Sequence, residues 1–333
     1  MEKIRLEQSK LKEQAEYVRN QIKQGKLVIC PTDTVYGLIC DGRNTRAKER
    51  IYEIKQRNPA KPLIGFVPTV DKALEIADVP ADLLPLVKSS WPGAVTFIAR
   101  SRENLASLTS AKKEIGLRVP DTPFLSALLP GTGLLASTSA NLSDEKSAAS
   151  LDEIPDVVKE QVGIVLDGGR IAGRESAIWH IASGEPKLRR GNILFVCVGN
   201  SCRSPMAEFL LKNRLRNEPV KIAVHSAGIG ILVNGMPAAS NTVRVMKEEG
   251  IALDGFVSRS LSLAMADQAT LIYVMNHGQK SRILSLLPKA SARITVLDVP
   301  DPAGMEVEYY RQIRDIIKQK IQDTVLPNIL ENV

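Results

Sequence analysis

Nowhere in the 333 residues does an apolar run approach the ~18 residues that a membrane-spanning helix requires, so no span is expected. The first residues, MEKIRLEQSKLKEQAEYVRNQIKQGK, are charged from Glu2 onward and contain no apolar secretory-signal core. Cysteine is scarce. Cys30, Cys40, Cys197 and Cys202 are too few for a disulfide scaffold, which predicts a reducing, cytoplasmic setting. Their spacing fits no common zinc pattern, and the histidines are His180, His225 and His277, so no structural metal site is expected. The chain lacks an internal repeat, a low-complexity tract and a Gly/Ser-rich linker. It also lacks GxxxxGK[ST], which excludes a Walker-type nucleotide loop. A strong charge excess is missing as well. Lys plus Arg is 44 against 37 for Asp plus Glu, split 28 to 24 over residues 1–190 and 16 to 13 over 191–333. So mild and even a surplus suits an enzyme of anionic phosphates and does not mark a nucleic-acid binder.

What is present is a globular composition, 44% hydrophobic and 24% charged, at a length that predicts two domains. KLRRGN at 187–192 reads as a basic turn, and Ile193–Val196 directly after it as a short buried strand. The boundary is therefore placed at 190/191, giving domains 1–190 and 191–333, with almost no linker. The fold class is α/β. In the second half, strands at 193–197, 221–225, 270–275 and 294–297 alternate with helices at 205–216, 238–249, 277–287 and 306–325. This pattern predicts a small, doubly wound parallel sheet. Ile313, Ile316, Ile317, Ile321 and Val325 are assigned to one face of the last helix. The first half is more mixed: helices at 6–24, 45–56, 71–77 and 81–89, with strands at 26–30, 63–67, 94–99, 115–119, 163–166 and 177–182. Its strand order does not follow from pattern.

The chemistry of the second half centres on Cys197-Val198-Gly199-Asn200-Ser201-Cys202-Arg203-Ser204, a C-x5-R-S sequence between a strand and a helix. Five residues wrapped round a dianion can turn their amides inward at a helix N-terminus. That positive end is expected to lower the thiol pKa of Cys197 and supply a thiolate nucleophile. Arg203 carries the planar fork for phosphate oxygens. Ser204 can hydrogen-bond the sulfur as leaving group. Asp301, stiffened by Pro302, is placed to protonate the departing atom and then to activate water against a cysteinyl-phosphate. The plainer alternative makes Cys197 a buried strand-end thiol and Arg203 a surface charge.

In the first half, Pro31-Thr32-Asp33-Thr34-Val35-Tyr36-Gly37-Leu38 follows a strand. Lys55 and Arg57, Trp91-Pro92-Gly93, Arg118, Ser139-Ala140-Asn141, Ser176 and Arg189 come later. Basic and short hydroxyl side chains in turns suit a polyphosphate with a small polar acid. Each alone is equally a cap or a surface charge. Lys55 and Arg57 would diverge on a helix and converge only if the segment unwinds.

LFVCVGNSCRSPMAE, HSAG at 225–228, VMNHGQ at 274–279 and DPAG at 301–304 together resemble the low-molecular-weight protein phosphatase family across 192–325. The resemblance makes Cys197 the nucleophile, Arg203 the phosphate binder and Asp301 the general acid, with no metal, and Asn200 and Ser226 loop-stiffening residues. Ser201 and Ala303 depart from the tyrosine-specific pattern. The small hydroxyl at 201 looks more like the protein-arginine phosphatase branch, though that branch has threonine there and an aromatic at 303. The substrate class left open is a phosphoarginine or phosphotyrosine protein, or a small phosphoester. Cys202 is either a resolving thiol for Cys197 or a loop filler.

PTDTVYGL, Lys-x-Arg at 55–57, WPG and Ser-x-Asn at 139–141 resemble the YrdC-type threonylcarbamoyl-AMP synthase family over residues 8–190. The resemblance implies a twisted α/β domain that condenses L-threonine, bicarbonate and ATP, with Mg2+ accompanying ATP, and releases pyrophosphate. The product feeds the modification of adenosine 37 in tRNA, and transfer to tRNA requires partner proteins. It assigns Lys55, Arg57, Ser139, Asn141 and Arg189 to ATP. It assigns Thr32, Arg118 and Ser176 to threonine, with Tyr36 shaping the pocket. Phe66 stands where the family often has His, and Ala177-Ile178-Trp179-His180 replaces its usual Thr-Val-Val-Asp. The alternative is a non-catalytic nucleotide- or tRNA-binding module attached to an active phosphatase.

Overall fold

The computed structural model describes residues 1–231 and 233–330. It divides into two compact units, Met1–Pro186 and Lys187–Val333.

In the first unit a mixed sheet runs in the order Glu2–Arg5, Ile164–Asp167, Val28–Cys30, Gly37–Asp41, Leu135–Ser139, Ile64–Phe66, Glu114–Arg118, Val95–Ser101, Ala177–His180. The strands from Val28–Cys30 to Ile64–Phe66 pair antiparallel, whereas Ile64–Phe66 and Glu114–Arg118 pair parallel. Helix Leu11–Lys23 covers one face. Its Ala15, Val18 and Ile22, at helical spacing, pack with Val28, Ile39, Leu135, Ile164 and Leu166.

Several elements differ from their sequence reading. The first helix begins at Leu11 rather than residue 6, after a short turn at Gln8–Lys10. Glu2–Arg5 is an edge strand whose charged, exposed side chains hide its extended pairing with Ile164–Asp167. Gly37–Asp41 and Leu135–Ser139 are strands that the sequence pattern does not mark. They are short and buried, and rich in Ser, Thr, Cys and Gly, so neither alternation nor a β-branched run marks them.

In the second unit the sheet is wholly parallel, in the order Lys221–Gly228, Lys187–Cys197, Leu271–Val274, Ile294–Val296. The first strand in sequence lies second, which places a topological switch point beside its C-terminal end. KLRRGN is not a turn: it is the start of strand Lys187–Cys197, and Arg190 pairs with Lys221. Helix Val307–Lys320 continues through one π-type turn, Ile321–Val325. Ile313, Ile317, Ile321 and Val325 are buried, but Ile316 is exposed, because three residues of advance carry it past the edge of the apolar stripe.

Candidate active sites

Cys197 ends its strand, and helix Arg203–Leu215 starts six residues later. The loop between them is fixed by its carbonyls. Those of Cys197, Val198 and Ser201 accept the amides of Ile229 (3.1 Å), Gly230 (3.0 Å) and Ala239 (3.0 Å). With these carbonyls facing outward, no hydrogen bond among the described residues takes the amides of Gly199, Ser201 or Cys202. Asn200 turns the loop in the left-handed region (φ 49°), and its amide lies 3.2 Å from the Cys197 sulfur. Gly228 is required where the neighbouring strand meets this loop, because a Cβ there would stand 2.5 Å from the Val198 carbonyl oxygen.

A buried hydrogen-bond chain sets the direction of the protons. Asn200 Nδ2 donates to Ser204 Oγ (2.9 Å) and to Ser226 Oγ (2.8 Å). Ser226 Oγ donates to Glu208 Oε2 (2.5 Å). Ser204 Oγ, which accepts from Asn200, also lies 2.9 Å from the Cys197 sulfur and 3.5 Å from the Ala227 carbonyl. Burial pushes the Cys197 thiol up from its ordinary value, against the Ser204 bonds, the Arg203 charge and the Asn200 amide, which pull it down. Desolvation thus opposes the lowering expected from the helix terminus.

Arg203 is buried. It donates to the Val299 carbonyl (3.1 Å) and to Asp301 Oδ2, while its Nε has no hydrogen-bond partner among the described residues. Asp301 is about half exposed, and its other oxygen accepts from the Ala303 amide (3.2 Å). The chain thus brings Cys197, Ser204, Arg203 and Asp301 to one end of the sheet. Cys202 is a buried free thiol, its sulfur 3.3 Å from the Tyr310 hydroxyl. Glu208 was not singled out in the sequence, where it reads as an ordinary helix carboxylate, and its buried link to Ser226 spans 18 residues.

The first unit gathers its residues around a hairpin loop, Pro31 to Tyr36, between Val28–Cys30 and Gly37–Asp41. Thr32 Oγ1 accepts the amides of Thr34 (3.0 Å) and Val35 (3.2 Å) and donates to the Val35 carbonyl (2.7 Å). Its hydroxyl therefore builds the loop. Tyr36 is fully buried; its hydroxyl donates to the Gly169 carbonyl (2.8 Å) and accepts from the Gly168 amide (3.0 Å). The same loop joins two charged groups. Through Thr34 Oγ1 (2.9 Å) and Asp33 it meets the Arg118 guanidinium, and the Tyr36 carbonyl takes the Ala140 amide (2.8 Å) beside Lys55.

Arg118 is buried, with Nε donating to the Gly93 carbonyl (2.9 Å) and the guanidinium 5.6 Å from the centre of the Phe66 ring. Phe66, the departure from the family's histidine, thus offers its ring to the cation. The WPG segment supports the same residue: Trp91 Nε1 donates to the Val95 carbonyl (2.6 Å), and the Gly93 amide to that of Val119 (2.9 Å). Ser176 Oγ lies 2.9 Å from Thr96 Oγ1.

Helix Thr45–Lys55, capped by Asn44, ends where Gln56 enters the left-handed region (φ 49°). The segment does unwind at that point. Lys55 turns inward, its ammonium donating to the carbonyls of Ser139 (2.5 Å) and Asn141 and to Asn141 Oδ1 (3.2 Å). Arg57 folds onto its own loop, bonding the carbonyls of Lys61 (3.1 Å) and Pro62 (3.0 Å). Burial, and then the charge of Arg57, bring the Lys55 ammonium down to about 8. Arg189 stands on strand Lys187–Cys197 and thus in the second unit.

Two family models match the chain: Sua5_yciO_yrdC, described by the term "Telomere recombination", over residues 20–191, and low molecular weight phosphotyrosine protein phosphatase over residues 192–331. The threonylcarbamoyl-AMP synthase of Pseudoalteromonas translucida is 36% identical over 151 residues, 44% of this chain and 81% of the relative. That of Bacillus subtilis is 32% identical over 174 residues, 51% of this chain and 50% of the relative. Among solved structures, E. coli YciO aligns with a TM-score of 0.51 and 25% identity, over 56% of this chain and 92% of its own. The chain belongs to the Sua5/YciO/YrdC family and carries, fused behind that part, a low-molecular-weight phosphatase domain.

Proposed function

We propose that the chain is a bifunctional enzyme whose first unit makes threonylcarbamoyl-AMP and whose second hydrolyses a phosphorylated substrate through a cysteinyl-phosphate. The observation that carries the first assignment is the pairing, round one hairpin loop, of a buried guanidinium at Arg118 with a buried ammonium at Lys55. Arg118 receives the carboxylate of threonine. Lys55, with Arg57, Ser139 and Asn141, receives the phosphates of ATP, which arrives as its magnesium complex. Thr32, Tyr36 and Ser176 shape the threonine side. The threonine amine combines with CO2 or bicarbonate, and the resulting carbamate attacks the α-phosphorus, expelling pyrophosphate. Catalysis is by positioning and charge stabilisation. Threonine-dependent pyrophosphate release tests this assignment; release independent of threonine would contradict it.

In the second unit the loop amides and Arg203 receive the phosphoryl group, and its charge draws Arg203 from Asp301. Cys197 gives up its thiol proton to water and attacks phosphorus in line as the thiolate, and the leaving atom takes its proton from the carboxylic acid of Asp301. The S–P bond is then broken by water that the same carboxylate deprotonates, with Ser204 donating to the departing sulfur. The small hydroxyl residue Ser201 within the loop favours phosphoarginine over phosphotyrosine proteins. Side-by-side turnover of phosphoarginine and phosphotyrosine peptides decides that point. Rapid-quench mass spectrometry should find a phosphoryl group on Cys197. Passage of the adenylate to tRNA requires partner proteins.

A further inference from the structure

The Asp33–Arg118 contact has a feature that a purely structural ion pair would not need. Arg118 is buried and Asp33 partly so, 3% and 13% exposed, and Arg118 Nη2 donates to Asp33 Oδ1. The other oxygen, Asp33 Oδ2, is buried and has no hydrogen-bond partner among the described residues. Leaving one acceptor of a buried carboxylate unmet is costly, and an ion pair at such a site is weak evidence of stabilisation. The guanidinium is likewise incompletely used. Each of its nitrogens makes one bond, to Gly93, Thr34 and Asp33, so both terminal nitrogens keep a second N–H.

A zwitterionic α-amino acid meets both remainders at once: its carboxylate matches the two spare N–H groups, and its ammonium matches the unmet carboxylate oxygen. We propose that Asp33 binds the α-ammonium group of the amino-acid substrate beside Arg118, and so selects an α-amino acid over the same acid without its amine. The proposal rests on the reading of Arg118 as the carboxylate receptor. Asp33 holds the ammonium in place on binding; a proton then leaves to water before the amine combines with CO2 or bicarbonate, so Asp33 is a positioning residue rather than a base.

The test compares binding of L-threonine and (R)-3-hydroxybutyrate, which lacks only the amine, to the whole chain by calorimetry in the presence of a non-hydrolysable ATP analogue. The wild-type chain should prefer threonine by about tenfold or more, as a charge-assisted bond implies. Asp33→Asn should abolish that preference, to within about threefold, by weakening threonine alone. Asp33→Glu, which keeps the charge, should retain it. A merely structural role would weaken both ligands together and leave the ratio intact, and that result overturns the proposal while the threonine reading stands. Failure of the wild-type chain to bind threonine overturns both. If Asp33→Asn does not fold, equal binding of the two ligands by the wild-type chain overturns the proposal by itself.

Discussion

Lys55 is an ammonium held by carbonyls in a place that water scarcely reaches, and its pKa near 8 follows from that burial and from Arg57. The cation that the ATP phosphates require is thus present at pH 7 and fades through pH 8. The KM for ATP should be flat below about pH 7 and climb above pH 8, toward about tenfold per pH unit. Lys55→Arg should flatten that climb, since guanidinium stays charged. A flat profile in the wild-type chain would show that Lys55 does not carry ATP binding. At this scale the sequence offers candidates for the chemistry, but not the partners that hold them. Cys197, Arg203 and Ser204 lie within eight residues of one another and can be read as a unit. Arg118 and its partners Asp33, Thr34 and Gly93 are separated by up to 85 residues, so only the fold reveals the pair. At Cys197 the sequence shows the helix terminus and not the desolvation that opposes it.

Strand Lys221–Gly228 shows how an element serves a site it does not itself contain. Ser226 reaches Asn200 under the phosphate loop, and Gly228 lets the loop's backbone lie against the strand. Gly228→Ala should destabilise the second unit by about 1–3 kcal/mol and depress phosphatase turnover, because the methyl meets a backbone carbonyl that cannot swing aside. Denaturant melting with p-nitrophenyl phosphate turnover checks both; an unchanged loop and rate would refute the close approach. Elements with strong periodicity or a β-branched run, such as Thr45–Lys55 and Leu271–Val274, stood where the sequence put them. Gly37–Asp41 and Leu135–Ser139 carry no such signal because their character comes from pairing with each other: Gly37 faces Ser139 across the ladder.

For the molecule as a whole, burial of Cys30 and Cys40 sets an alkaline limit. Desolvation raises both thiols to about 12, from 9 in the unfolded chain. The neutral thiol is the folded form, so this contribution is fully present below pH 9. It is lost as pH rises from 9 toward 12, at about 1.4 kcal/mol per pH unit for each thiol. Cys30→Ala and Cys40→Ala should make the stability of the first unit less steep above pH 9. The fusion also predicts two separable activities. Cys197→Ser should abolish phosphatase turnover and leave adenylate synthesis unchanged, while Lys55→Ala should do the reverse. Loss of both activities in either variant would contradict independent sites.

The most direct measurement is mass spectrometry of the products after the wild-type chain is incubated with L-threonine, bicarbonate and MgATP. A threonylcarbamoyl-adenylate peak that disappears when threonine is omitted, and persists in Cys197→Ser, is the predicted result. Its absence from the wild-type chain, with an active synthase making product alongside, would contradict the account and leave the first unit as a binding module.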